Sequence, residues 1–292
     1  MGLVHRSKVP PEGVRRRVGL HRCDLRDIAT RYIRKRQHVI AFRFAGKVAI
    51  VTGSSRGIGR AIAVRYAEHG AQVVISSRKA GPCEEVAKAI NQEYGPGRAI
   101  AVPANISSKD DLENLAATTR AKFGKIDILV CNAASNPYYG RQIDISDDQF
   151  RKILENNIIA NHWMIAAVVP GMIERRDGAI VIISSVGGLR GSPVIGAYCI
   201  SKAADMQLAR NLAVEYGEYN VRVNTIAPGL IKTDFAKALW DDPDTLARAT
   251  ANTPLRRIGD PDEISGVAVL VASKAGSFMT GQTIVVDGGQ TI

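Results

Sequence analysis

The sequence is poor in the features that mark membrane, extracellular or metal-dependent proteins. It has no uninterrupted apolar run of about 18 residues, the length a membrane-spanning helix needs. Its four cysteines, Cys23, Cys83, Cys131 and Cys199, are scattered without a C-x-x-C pair. Read as free thiols they suit a reducing compartment, and a cytoplasmic protein is expected. The five histidines, His5, His21, His38, His69 and His162, fall at no ligand spacing, so no metal site is expected. A secretory apolar core and an internal repeat are also lacking.

Positive charge is abundant, but it is localised. The chain carries a formal net charge of +11, and residues 1–44 hold twelve Lys/Arg against three Asp/Glu. The remaining 248 residues hold 27 against 25, so the excess belongs to a leader and not to a nucleic-acid-binding face. Within the leader, Leu25, Ile28, Ala29, Tyr32 and Ile33 form a helical stripe flanked by Arg31, Arg34, Lys35 and Arg36. Glu12, Asp24 and Asp27 fit a transit segment poorly. Residues 1–44 are therefore expected to be a poorly ordered or partly helical basic extension, and 45–292 a single folded domain.

From Lys47 onward, apolar runs alternate with longer helical patterns. "KVAIVTG", "AQVVISS", "RAIAVPA", "KIDILVCNA", "GAIVIISS", "VRVNTIAPG" and "TIVVDGG" are mostly continuous rather than alternating, as strands covered on both faces should be. Helices are expected near 57–70, 81–94, 109–123, 147–174, 197–217 and 261–274. This alternation predicts an α/β, doubly wound (Rossmann) fold with a seven-stranded parallel sheet flanked by helices. Ligands of such folds sit beyond the carboxyl ends of the strands.

The first strand runs into "TGSSRGIGRAIA", where Gly53, Gly57 and Gly59 allow a backbone to approach a pyrophosphate at a helix N-terminus. The second strand ends in "SSRK", with no carboxylate to receive a ribose 2′-hydroxyl. Ser77 and Arg78, with Arg56 from the glycine turn, suit a 2′-phosphate instead, so NADP(H) is expected and NAD is the lesser alternative. Further along, "AYCISKAADM" places Tyr198 and Lys202 on one helix face, one turn apart.

Together, "TGSSRGIG", "CNAA" (131–134), "SS" (184–185), "YCISK" (198–202), "NTIAPG" (224–229) and "TGQTIVVDGG" (280–289) resemble the short-chain dehydrogenase/reductase family. The likeness covers roughly residues 44–292, and is strongest to 3-oxoacyl-carrier-protein reductase-like and NADPH-dependent carbonyl reductase-like members. The resemblance implies that Tyr198 is the general acid in ketone reduction and the general base in alcohol oxidation. A lysine charge beside a phenol favours the phenolate, so Lys202 is expected to lower the Tyr198 pKa from about 10 toward working pH. It further implies that Lys202 binds the nicotinamide ribose, that Ser185 holds the substrate oxygen, and that Asn157 anchors a proton relay. Asn156 is a rival, but counting from Phe150 favours Asn157.

Other cofactor contacts are implied position by position. Ser55 and Ile58 belong to the glycine turn. Asn132, Ala133 and Ala134 match the family's N-N-A-G segment, although Cys131 and Ala134 depart from it. Asn105 and Ile106 follow the third strand, where Asp is common. Pro228, Gly229, Ile231 and Thr233 resemble the stretch that orients the nicotinamide. Cys199 reads as packing. Segments 135–143 and 233–259 are expected to shape the substrate pocket, the second as a lid, with Tyr138, Tyr139, Phe235 and Trp240 making it aromatic. Arg256 and Arg257 could meet an acidic carrier.

The function expected is NADPH-dependent reduction of a 3-oxoacyl or other hydrophobic ketone, or of an acyl-thioester carbonyl, in a homotetramer packed through the helices at 147–174 and 197–217. NAD-dependent oxidation of a secondary alcohol is the rival enzyme reading. A non-catalytic nucleotide-binding regulator is the rival of another class, but it would not need Ser185, Tyr198 and Lys202 together.

Overall fold

Seven apolar segments become seven parallel strands of one sheet in this computed structural model, which describes residues 41–292. The stripe read at Leu25–Ile33 and most of the basic extension lie outside the described residues. The strands are β1 (Val48–Thr52), β2 (Gln72–Ser76), β3 (Ala99–Ala101), β4 (Ile128–Cys131), β5 (Gly178–Ile183), β6 (Val221–Pro228) and β7 (Thr283–Val286). Their spatial order is β3-β2-β1-β4-β5-β6-β7, and all pairings are parallel. The chain winds outward through β1, β2 and β3, then returns to wind the other way through β4 to β7. Between the carboxyl ends of β1 and β4 this reversal parts the connecting loops and opens a crevice.

Strand periodicity divides the core in two. Ala49, Val51, Val73, Ile75, Ile128, Val130 and Val181 face one layer, packed by α1 (Gly57–Glu68), α2 (Ala80–Tyr94) and a late helix, α8 (Pro261–Ala272). Ile50, Val74, Leu129, Ile180 and Ile182 face the other, packed by α3 (Lys109–Phe123), α5 (Ala160–Arg175) and α6 (Gly196–Tyr216). Each large aliphatic side chain removed from water contributes roughly 1.5–3 kcal/mol, which is why strands buried on both sides need unbroken apolar runs. Phe44 is also buried in the first layer, edge-on to Tyr66. The packed unit therefore reaches back past the expected boundary at 44/45.

Helix starts follow local chemistry. Ser108 caps α3 by accepting from the Asp111 amide at 3.2 Å. Ser146 and Gln149 form a reciprocal capping box at α4 (Asp147–Leu154), and Asp260 with Glu263 does the same for α8. Residues 147–174, expected as one continuous helix, are instead α4 and α5 joined by a π-helical turn at Glu155–Ile159. A single added residue in one turn leaves the apolar spacing nearly unchanged, so the sequence pattern does not reveal it. Segment 233–259 holds a 3-10 turn at Asp234–Leu239 and a short helix, α7 (Pro243–Thr250).

Tyr66 ties α1 to α8: its ring is fully buried and its hydroxyl donates to the Ala268 carbonyl at 3.0 Å. Tyr66→Phe removes that buried hydrogen bond. It should lower the unfolding free energy by about 0.5–1.5 kcal/mol, read from the urea midpoint, with catalytic constants unchanged.

Candidate active site

A cleft of about 1020 Å³ opens at the carboxyl ends of the strands. Every residue expected from the sequence to be catalytic or to bind the cofactor lines it, except Gly59 and Asn157. The floor at one end is the β1–α1 turn. Gly53 and Gly57 have φ of +64° and +56°, the left-handed region that favours glycine. At Gly59 a Cβ would fall 2.5 Å from both the Gly53 carbonyl oxygen and Asn132 Nδ2, so only glycine lets α1 begin this close to β1. No side chain caps the N-terminus of α1. A helix start with unclaimed amide donors, reached over glycine, is a cradle for a phosphate group.

Asn132 has a structural use that the resemblance did not disclose. Its Nδ2 donates to the Thr52 and Gly53 carbonyls at 2.9 and 3.2 Å, and its backbone amide and that of Ala133 donate to Thr52 Oγ1. The residue thus fixes the glycine turn against β4. Asn105 is similarly organised: its amide donates to Asp111 and its Oδ1 accepts from the Ser107 amide. At the end of β2, Arg78 and Lys79 line the cleft and make no ion pair among the described residues. Arg56, in contrast, is bonded to Asp234 at 3.2 Å, with both side chains exposed. Such an exposed pair is worth little and separates readily.

The opposite wall carries the Tyr198–Lys202 pair of α6. Lys202 Nζ lies 5.8 Å from the centre of the Tyr198 ring. It donates to the Ile183 carbonyl and to Asp205 Oδ2, each at 2.9 Å. Ser185, after β5, packs near the phenol, with Gly187 between it, Cys199 and Tyr198. Gly188 brings this loop onto α6, because a Cβ there would lie 2.6 Å from the Lys202 carbonyl carbon. Ser184 completes the junction by donating to the Lys202 carbonyl at 2.7 Å.

Burial pushes the Tyr198 phenol above its usual range; Lys202 and then Ser185 pull it back, and Asp205 pushes it up again. The sequence expectation of a lowered phenol pKa holds for the direction of the Lys202 effect only. Desolvation outweighs it, and a carboxylate not considered in the sequence shares the lysine charge. Burial alone would lower the Lys202 ammonium, but Asp205 reverses this and holds it above its usual range.

Asn157 sits in the π turn, fully buried. Its Oδ1 accepts from the Ser135 amide at 2.8 Å, and its Nδ2 donates to the Ser135 carbonyl and Ser201 Oγ. Asn156 faces another way, donating to Ser135 Oγ and accepting from Ser107 Oγ. The two asparagines therefore clamp the loop after β4 from adjacent positions. Asn161, Asp205, Ser135 and Gln290 also belong to or border the site and were not singled out from sequence. "NNIIAN" and "SKAAD" carried the signal for the first two, as polar residues on otherwise apolar helix faces.

The substrate end is less aromatic than expected. Phe235 reaches the cleft, its ring centre 6.0 Å from that of Tyr198. Tyr138, Tyr139 and Trp240 do not line it; Tyr138 donates to the Arg141 carbonyl, and Trp240 Nε1 to the Thr233 carbonyl. Cys199 does line the cleft, and burial raises its thiol pKa, which keeps it uncharged. Arg190, not anticipated, lines the cleft as well. Arg257 is held by both oxygens of Glu263, and Arg256 donates to the Ala251 carbonyl, so neither is positioned as a free anchor for an acidic carrier. Among the described residues no helix is long and apolar enough to cross a membrane.

A family model described as enoyl-(acyl carrier protein) reductase matches residues 53–291. Dehydrogenase/reductase SDR family member 4 of Bos taurus is 42% identical over 244 residues, spanning 83% of this chain and 86% of the bovine protein. The Homo sapiens protein of the same name is 41% identical, spanning 84% and 87%. Among solved structures, a 7α-hydroxysteroid dehydrogenase in complex with NADH and 7-oxo glycochenodeoxycholic acid superposes with a TM-score of 0.81 at 36% identity, covering 86% of this chain and 96% of that one. A Beutenbergia cavernae protein described as an NAD(P)-dependent gluconate 5-dehydrogenase, with NADP bound at low occupancy, gives 0.80 at 36% identity, covering 86% and 98%.

Gly188→Ala forces a methyl group against the α6 backbone. It should cost about 1–3 kcal/mol of stability and, by separating Ser185 from Tyr198, reduce kcat more than it raises KM. Thermal unfolding and steady-state kinetics on the same preparation check both effects.

Proposed function

The chain belongs to the short-chain dehydrogenase/reductase family, oxidoreductases acting on CH–OH and C=O groups, and from that premise we propose that it reduces a hydrophobic ketone, of 3-oxoacyl type or similar, with NADPH. The observation that carries this reading is the meeting of Ser185, Tyr198 and Lys202 on one wall of the cleft whose other end is the glycine turn. A purely nucleotide-binding protein has no need of a buried lysine beside a phenol at the substrate end.

The residues present fit a dinucleotide. The glycines of the β1–α1 turn and the uncapped α1 N-terminus suit its pyrophosphate, and Asn105 and Ile106 the adenine. Ser77, Arg78 and Lys79 suit a 2′-phosphate, Pro228, Gly229, Ile231 and Thr233 the nicotinamide, and Lys202 the ribose next to it. When bound, NADPH supplies a hydride to the carbonyl carbon. The protein's part is proton chemistry: the Ser185 hydroxyl donates to the carbonyl oxygen as negative charge grows there, and Tyr198 delivers its phenolic proton to that oxygen. Lys202 stabilises the phenolate left behind, and Asn157 braces the Ser135 loop and Ser201 around the pair. In the reverse direction the phenolate takes the alcohol proton.

A second reading, NAD-dependent oxidation of a secondary alcohol, draws on two observations. Arg56 is engaged by Asp234, and the steroid dehydrogenase relative was solved with NADH. The homotetramer is proposed on the apolar Ile159, Ile200 and Val214, exposed on the π turn and on α6. Residence in the cytoplasm is proposed on the free, buried thiols of Cys83, Cys131 and Cys199.

Tyr198→Phe should lower NADPH-dependent reduction of 3-oxoacyl thioesters or cyclic ketones by about 10²–10⁴-fold while NADPH still binds; unchanged turnover would remove the proposal. Arg78→Ala should weaken NADPH binding at least about tenfold, the loss of one charge-assisted contact, with NADH binding unaltered. Fluorescence titration with both coenzymes separates the NADP reading from the NAD reading.

A further inference from the structure

Lys202 does not stand alone beside Tyr198. One further turn along α6, Asp205 is wholly buried, and its Oδ2 accepts from Lys202 Nζ at 2.9 Å. The other carboxylate oxygen accepts from Asn161 Nδ2 at 3.0 Å, and the same Nδ2 donates to the Asn157 carbonyl at 2.7 Å. A continuous polar path therefore runs from α6 to the π turn behind the cleft, with both oxygens of Asp205 occupied. Burying a carboxylate this completely costs several kcal/mol unless a cation and hydrogen bonds compensate, and here both are present. Such an ion pair is dispensable for packing, since apolar residues of similar size fill a core at least as well.

We infer that Asp205 is a positioning residue that shares the charge of Lys202, so that Tyr198 is kept in its protonated, proton-donating form and the site is set for carbonyl reduction. This rests on the reading of Tyr198 as the group that exchanges the proton. The balance is electrostatic. A lone ammonium beside Tyr198 would favour the phenolate more strongly, whereas an ammonium matched by a carboxylate presents a weaker net field to the ring. The other groups facing the pair are few. On α6 itself there is Cys199; from β4 there is Cys131, whose thiol burial raises and keeps neutral. From the end of β5 comes the Ile183 carbonyl and from the loop after it the Ser185 hydroxyl, and Arg190 acts on Cys199. From the π turn and α5 come only the uncharged Asn157 and Asn161. Among the described residues, Asp205 is thus the one carboxylate that acts on Tyr198.

The sign follows directly. While Lys202 keeps its proton, removing the carboxylate charge favours the phenolate, so the base form needed for alcohol oxidation appears at lower pH and the acid form needed for reduction is lost at lower pH. Both profiles move together, as the fixed overall equilibrium requires. The test is the pH dependence of kcat/KM for oxidation of a 3-hydroxyacyl thioester with NADP⁺, from pH 6 to 10, in wild type, Asp205→Asn and Asp205→Glu. For Asp205→Asn, the value at pH 7 relative to that variant's own high-pH plateau should rise about tenfold, one pH unit of displacement, and Asp205→Glu should restore the wild-type profile. Merely structural damage would lower the plateau and leave this ratio alone. An unmoved ratio in a folded Asp205→Asn protein overturns the inference. A ratio that falls instead shows that the carboxylate serves to keep Lys202 charged, and overturns it too. If that variant does not fold, Asp205→Ser in the same assay decides: a raised ratio supports the inference, and an unmoved ratio overturns it. Tyr198→Phe run alongside separates the two failures, because turnover retained there removes the underlying proton-exchange reading, whereas turnover lost there with an unmoved Asp205→Asn ratio removes only the role of Asp205.

Discussion

The Lys202 ammonium is held out of water at the point where α6 meets the end of β5, and the geometry of the cleft's substrate wall depends on it. Two of its donors are committed, one to the Ile183 carbonyl and one to Asp205. Its backbone carbonyl is committed too, accepting from Ser184. A charge so placed cannot wander, and Tyr198, one turn earlier, inherits a fixed relation to it. The absence of a side chain at Gly188 allows this junction, since the loop carrying Ser185 could not otherwise lie on the helix. Strand, loop and helix are locked at one place, and that place is where a reacting oxygen would be held.

The other end of the cleft is built on a different constraint. There the backbone rather than a charge does the work: three glycines let α1 start directly over β1, and Asn132 staples the turn to the next strand. The doubly wound topology brings these two ends together, because the reversal between β1 and β4 leaves the space beyond both strands uncovered. Segment 233–259 crosses this opening, with Phe235 near Tyr198 and Asp234 near Arg56. It touches both ends, at the glycine turn through an exposed ion pair that separates readily.

Much of this was legible in the sequence for simple reasons. Strands buried on both faces require continuous apolar runs, and those runs located all seven. The glycine spacing and the Tyr198–Lys202 interval likewise marked their elements. What escaped reading was polar and internal. The π turn at 155–159 leaves no trace in apolar periodicity, yet it directs Asn156 and Asn157 to different partners. Asp205 and Asn161 meet only because two helices pack across one another, a contact that neither local spacing reveals. The same applies to Tyr138 and Trp240, whose aromatic character suggested a pocket while their polar tips were already engaged elsewhere. The phenol's surroundings were half legible for a related reason: the sequence displayed the lysine one turn away but not the burial or the carboxylate behind it.

The central claim is that Tyr198 waits as a neutral phenol beside a charge-matched lysine. An ultraviolet difference titration of the wild-type enzyme against Tyr198→Phe isolates the absorbance of this one tyrosine. The account predicts no phenolate band from Tyr198 between pH 6 and 9 in the enzyme without coenzyme. A phenolate midpoint within that range would contradict it.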